Sequence, residues 1–192
     1  GLGGVNALGA ETDSDDISVN AVDFIAELRQ AEDFAKVAVG RRVMVIGGGM
    51  TAIDVGTQAR LLGAQDVTIA YRRGRDNMNA SSAEQDQSSA KGVNIRHWMQ
   101  PVEVTKSGSG SLNVKMEFTT LSEGKLTGTG KFETVEVDQL FTAIGQTLAA
   151  GEAIGSIAVE HGRIRVDETF RTSNPSVWAG GDCVAGGDDL TV

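Results

Sequence analysis

An α/β fold, with a parallel sheet at its centre and an antiparallel β-meander attached, is predicted by three observations in this 192-residue chain. Residues 40 to 74 run through a short apolar segment, a glycine turn, an amphipathic helix and a second apolar segment, the order of a β-α-β unit. Past Pro101 apolar and polar residues alternate in segments separated by Gly- and Ser-rich stretches. Apolar residues make up 40 % of the chain, enough for a core and incompatible with a disordered or collagen-like polymer. Charge excludes further classes: 17 Lys and Arg against 26 Asp and Glu leave a net charge of −9, so no basic face for nucleic acid is expected. The sequence holds no apolar run of about 18 residues and no charged-then-apolar leader, so neither a membrane span nor a secretory signal is expected, and a cytoplasmic location follows. A single cysteine, Cys183, makes no internal disulfide, no Cys-x-x-Cys pair and no iron–sulfur cluster on its own. Any electrons handled here travel on an organic carrier.

The elements can be justified in order. Residues 1–16, rich in glycine and acidic groups, have neither a helical nor a strand period and read as loop. Asn20 is placed to cap a helix over about residues 20–35, where Ala21, Phe24, Ile25, Leu28 and Ala31 recur at helical spacing. Val43 to Ile46 is the uninterrupted apolar run of a strand buried on both faces. Gly47 to Gly49 turn the chain, and a helix starts near Met50 with Ala52, Val55, Ala59 and Leu62 on one stripe. Gly63 stands where a left-handed C-terminal cap belongs. Val67 to Tyr71 is a second strand, parallel and adjacent to the first. A short helix over residues 83–91 and a third strand over residues 93–99 follow. Residues 102–105, 112–121 and 131–137 form the meander, with hairpin loops at 107–111 and 122–130. Gln139 to Ile144 is another short strand, closed by Gly145. Residues 157–166 read as strand-turn-strand, and residues 169–187 as a strand ending in a glycine-rich turn, after which the chain stops where a helix should begin.

The chemistry concentrates in the glycine turn. Gly47-Gly48-Gly49-Met50-Thr51-Ala52 fits the G-x-G-x-x-A pattern between a buried strand and a helix, which makes the sheet Rossmann-like. Gly47 provides the tight turn, Gly49 lets a diphosphate approach the backbone, and Ala52 lets the helix pack closely. The unpaired amides at the helix start then face the diphosphate with the positive end of the helix dipole. An acidic residue about 20 positions on would hold the ribose hydroxyls of NAD, whereas arginine accommodates the 2′-phosphate of NADP. That place holds Arg72 and Arg73, and no carboxylate appears before Asp76. Read as solvated surface charge the pair carries no information, but the replacement of acid by arginine favours NADP(H) over NAD(H).

Other candidates carry less. Asp54, placed in the first helical turn, reads as a helix-dipole partner. Thr51 either donates to a phosphate or caps the helix. His97 and His161 lack partners at catalytic spacing and read as structural, as does Cys183 in its turn. The acidic pairs Asp15-Asp16 and Asp188-Asp189 lack the ligand spacing of a calcium site.

Residues 43–73, the return strand Phe141-Thr142-Ala143-Ile144-Gly145-Gln146-Thr147 and the segment 176–187 together resemble the two-dinucleotide flavoprotein reductases, in which an NAD(P)H domain is inserted into an FAD domain. The similarity is to the branch that contains the small chain of glutamate synthase and the NAD(P)H-oxidising part of dihydropyrimidine dehydrogenase. The resemblance implies three parts: residues 1–39 and 146–192 as stubs of the FAD domain, and residues 40–145 as the NAD(P)H-binding domain, with helices on both sides of its sheet. It places Ala143, Ile144 and Gly145 where the chain returns to the FAD domain, and Gly181-Asp182 in the motif whose aspartate meets the flavin's ribityl chain. Ile144, Gly145 and Gln146 are expected at the nicotinamide end, since ligands collect at the carboxyl edge of such a sheet.

The family function implied is hydride delivery from NAD(P)H to flavin, feeding a glutamate synthase or dihydropyrimidine dehydrogenase type of reaction. The cofactors implied are NADP(H) or NAD(H), with FAD in the full-length protein, and the partners are the rest of the FAD domain and an iron–sulfur or substrate-reducing domain or subunit. No second G-x-G-x-x-G follows a strand, so this chain alone is expected to be inactive and to hold FAD weakly or not at all. No side chain is singled out as a catalytic acid or base, because the two cofactors do the chemistry. Two other classes stay open: a nucleotide-binding or docking module without turnover, and a stand-alone dehydrogenase. The second is disfavoured by Tyr71, the one tyrosine, lying at the adenosine end.

Overall fold

The computed structural model describes residues 4–108, 110–148 and 157–185. The chain divides into two compact units, Ala7–Ile144 and a second formed by Gly1–Asn6 with Gly145–Val192. In chain order the elements are β1 (Gly4–Val5), β2 (Glu11–Thr12), β3 (Val19–Asn20), α1 (Ala21–Gln30), β4 (Arg42–Gly47), α2 (Met50–Leu61) and β5 (Asp66–Tyr71). Then come α3 (Ser82–Ala90), β6 (Val93–His97), β7 (Met99–Lys106), β8 (Leu112–Ser122), β9 (Lys125–Val137), β10 (Gln139–Ala143), β11 (Gln146–Thr147), β12 (Val159–Glu160) and β13 (Arg163–Ile164).

In the larger unit five parallel strands lie in the order β3-β10-β4-β5-β6. Each inner strand is apolar on both faces, and the residues alternate between two cores. Val43 and Val45 of β4, Val67 and Ile69 of β5 and Phe141 of β10 face α1 and α2. Met44, Ile46, Ala70 and Leu140 face a second sheet, β2-β7-β8-β9. The Phe24 ring of α1 meets the Phe141 ring with centroids 4.7 Å apart.

The α/β class with its antiparallel meander is therefore present, but the arrangement differs from the expected one. Helices do not cover both sides: α1, α2 and α3 share one face, and the meander closes the other through Val104, Val114, Met116 and Val137. The boundary drawn at residue 40 also moves. Residues 7–39 fold with the larger unit because β3 pairs with β10 and α1 packs on the same core.

Local physics explains the shifted elements. Asn20 caps α1, its Oδ1 accepting from the Val22 amide at 2.8 Å. The helix ends at Gln30, not near residue 35, because Asp33 caps a separate 3-10 turn by accepting from the Ala35 amide. The strand expected over residues 93–99 breaks at Trp98, whose φ of 61° turns the chain out of the parallel sheet and into the meander. The loop expected at 122–130 shrinks to Glu123-Gly124, both at positive φ, the geometry that a two-residue hairpin favours. Residues 125–130 join β9, and Gly128 sits beside the Glu117 side chain, where a larger residue would collide.

In the smaller unit β1 pairs with β11 and β12 with β13, and Ile164, Cys183 and Val184 form a small core. The segment read as a strand before the glycine turn contributes only a bridge between Arg171 and Trp178. Residues 188–189 and the expected helix start lie outside the described residues.

Phe141 is fully buried between the helices and β4, so Phe141→Ala is expected to lower the unfolding free energy by about 4 kcal/mol in urea titration. Phe132→Ala, at a side chain 51 % exposed on β9, is expected to cost under about 1 kcal/mol.

Candidate functional site

Strand β4 is central, with β10 on one side and β5 on the other. The chain thus leaves β4 for one neighbour and returns beside it on the other, and the crevice beyond the carboxyl ends is where such sheets take ligands. The parallel register carries Gly47–Gly49, Tyr71–Gly74, His97–Trp98 and Ala143 to this one edge.

The three glycines are not equivalent. Gly47 has φ 154°, and a Cβ there would overlap the Ala143 carbonyl oxygen. A Cβ on Gly48 would enter the Tyr71 ring, whose hydroxyl donates to the Asn77 carbonyl at 2.7 Å. The Gly48 carbonyl accepts from the Ala80 amide at 3.2 Å, so the loop after β5 lies against the turn. Only Gly49 looks onto open space, with nothing within 4 Å of a Cβ built there. It is also the N-cap of α2, and no side chain caps this 12-residue helix. Met50 and Thr51 follow on the exposed side, and Ala52 is fully buried against the sheet.

Sequence reasoning missed Gly56, one turn beyond Ala52, where a Cβ would lie 2.9 Å from the Ile69 side chain. The small-residue spacing of Ala52 and Gly56 was the available signal for a helix lying this close to β5. Thr51 does not cap the helix, since Gly49 holds that position. Asp54 falls beyond the first turn, which contains no acidic residue, so the helix-dipole role expected of it is not met. Partial desolvation and the charge of Glu84 raise its carboxyl above the ordinary value, and Arg29 opposes them.

Arg72 and Arg73 follow β5 with exposed side chains, and neither has an ion-pair partner among the described residues. Their neighbours do: Arg75 reaches Asp86 at 2.7 Å and Arg96 forks onto Glu133. His97, beside Tyr71, has its Nε2 buried with no hydrogen-bond partner, and burial, followed by the charge of Arg75, holds its pKa below the ordinary value. His161 is exposed in a turn.

In the smaller unit Gly145 has φ 94°, and its carbonyl accepts from the Asn6 amide at 3.2 Å. Gly181 has φ 72°, and neither Gly180 nor Gly181 has an atom within 4 Å of a Cβ position. Asp182 follows, half-buried, in a 3-10 turn. The Cys183 thiol is buried and donates to the Gly180 carbonyl, a packing role. Two open glycines beside a carboxylate suit a polyhydroxylated chain lying against the backbone.

The model of the pyridine nucleotide-disulphide oxidoreductase family matches residues 5–192. The chain belongs to that family. The family is one of oxidoreductases, which supports a general redox role. The chain is 35 % identical over 164 residues to the glutamate synthase [NADPH] small chain of Escherichia coli K12, covering 78 % of this chain and 35 % of that one. It is 30 % identical over 172 residues to the NAD-dependent dihydropyrimidine dehydrogenase subunit PreT of the same organism, covering 90 % of this chain and 37 % of that one. It thus spans about a third of the length of these curated relatives. The fold is similar to the crystal structure of T. acidophilum thioredoxin reductase, with a TM-score of 0.66 at 20 % identity over 94 % of this chain and 55 % of that one. Among the described residues no helix is long and apolar enough to cross a membrane.

Two outcomes follow from the geometry. Gly47→Ala is expected to destabilise by about 3 kcal/mol because strain and a backbone clash coincide, whereas Gly49→Ala should cost under about 1 kcal/mol in the same urea titration. The unfolded chain protonates His97 before the folded chain does, so stability should fall as pH drops below about 6.5. His97→Phe should flatten that limb between about pH 7.5 and 5.5.

Proposed function

We propose that the Ala7–Ile144 unit binds a nicotinamide dinucleotide and, within a longer flavoprotein, presents it to FAD. The observation that carries this reading is the unequal state of the glycines: protein crowds Gly47 and Gly48, while Gly49 at an uncapped helix start is open. A diphosphate laid there meets main-chain amides and the positive end of α2, and Met50, Thr51 and Ala52 supply the first turn. Arg72 and Arg73, without acidic partners among the described residues, suit a 2′-phosphate, and NADP(H) is proposed over NAD(H) on that ground. The names of the relatives divide, one NADPH and one NAD-dependent, so the arginines carry the preference.

When bound, the dinucleotide supplies a hydride from the nicotinamide C4 to flavin N5, chemistry that asks no acid or base of this chain. Ala143, Ile144, Gly145 and Gln146 are assigned to the nicotinamide end. Gly181 and Asp182, in the smaller unit, are assigned to the ribityl chain of FAD, with the remainder of the FAD domain supplied elsewhere in the protein. The electrons then pass to an iron–sulfur or substrate-reducing domain or subunit, in a glutamate synthase or dihydropyrimidine dehydrogenase type of reaction. The 192 residues alone are proposed to be inactive and to retain little FAD.

Calorimetric titration of the chain with NADPH, NADH and FAD tests this reading. Binding of a nicotinamide nucleotide is expected, and absence of heat at millimolar NADPH and NADH overturns it. Arg72→Ala with Arg73→Ala should weaken NADPH by about ten- to a hundredfold more than NADH, the effect of losing charge-assisted phosphate contacts. Gly49→Ala should weaken both alike, since both carry the diphosphate.

A further inference from the structure

The arginine-bearing segment between β5 and α3 is held at its main chain by residues that lie outside the glycine turn. Thr119 of β8, 5 % exposed, donates its hydroxyl to the Arg72 carbonyl at 2.7 Å. The Trp98 amide donates to the Arg73 carbonyl at 3.2 Å, and the Trp98 carbonyl accepts from the Thr119 amide at 2.9 Å. From the other side buried Gln85 of α3 donates to the Ala80 carbonyl at 2.9 Å and to the Arg75 carbonyl at 3.4 Å. The indole of Trp98 lies on Gly74, where a Cβ would stand 2.9 Å from the ring.

Trp98 also holds φ at 61°, a left-handed conformation that a bulky residue adopts only when its surroundings over-determine it. A chain leaving one sheet for another needs a corner, but this corner spends its hydrogen bonds on Arg72 and Arg73. The guanidinium groups themselves are exposed, so the element that the protein preorganises is the backbone beneath them.

We infer that Thr119, Trp98 and Gln85 are positioning residues that fix the loop carrying Arg72 and Arg73, and thereby set the preference for a 2′-phosphorylated dinucleotide. The inference rests on the dinucleotide reading above. Without the Thr119 hydroxyl the Arg72 carbonyl loses its partner, and the forked contact between guanidinium and phosphate, which tolerates little displacement, is lost with it. A dinucleotide without the 2′-phosphate makes no such contact and is indifferent to the change.

The test is a calorimetric comparison of NADPH and NADH on the chain carrying Thr119→Val, Thr119→Ser or Gln85→Met, with a urea midpoint for each. Thr119→Val is expected to weaken NADPH about fivefold or more while NADH stays within about twofold, and Thr119→Ser should restore the parent ratio because it keeps the hydroxyl. Gln85→Met, acting from the opposite side of the loop, should show the same selective loss. A parent chain that prefers NADPH together with folded variants that keep its NADPH to NADH ratio overturns the positioning role alone. Equal losses for both nucleotides do the same, marking a general structural effect. A parent chain that binds neither nucleotide overturns the dinucleotide reading and this inference together.

Discussion

Crowding at the carboxyl end of β4 is the constraint from which the site follows. The strand is flanked by β10 and β5 and buried on both faces, so its exit has no room for side chains. The Ala143 carbonyl fills the space beside Gly47, and the Tyr71 ring fills the space beside Gly48. Both glycines are thus required by the fold whether or not anything binds. Gly49 is crowded by neither neighbour: it is the N-cap of α2 and looks onto open space, room that the proposed diphosphate would use. The motif G-x-G-x-x-A does not show which of its glycines the fold itself crowds, and the structure does.

Much of the parallel sheet was legible because its signals are local. The apolar run at Val43–Ile46, the stripe from Ala52 to Ala59 and the cap at Gly63, with φ 108°, each declare themselves within a few residues. What could not be read is non-local. The alternation of residues 112–121 shows that one face is buried but not against what, and that partner is the underside of the parallel sheet, a place the sequence reading filled with helices. Strand β3 is hidden for the same reason, since it is two residues long and is recognisable only by its pairing with β10. In the site, the glycines and arginines were legible by motif and offset. Gly56, Thr119 and Gln85 were not, because each acts on a residue distant in sequence.

The electrostatics separate bystander charges from available ones. In a chain of net charge −9 some cations are neutralised locally. Arg42 meets Glu136 and Asp138, and hydrogen bonds from Arg42 hold both carboxyls below their ordinary range. Arg96 does the same to Glu133, and Lys115 reaches Glu103. These pairs stitch the parallel sheet to the meander or the meander to itself. Arg72 and Arg73 at the carboxyl edge have no ion-pair partner among the described residues, a state they share with Lys125, Lys131 and Arg163, so what sets them apart is their place beside the glycine turn.

The meander also holds the edge from the face opposite the helices. From the helical side Gln85 of α3 reaches the loop through its side chain. From the other side strand β8 brings Thr119 up to the corner at Trp98, just past the end of the β7–β8 ladder. The residue that closes the hydrophobic underside is followed, three positions on, by one that anchors the arginine loop: Met116 packs in the core and Thr119 reaches Arg72. Covering the apolar face and holding the loop after β5 are thus done by one strand.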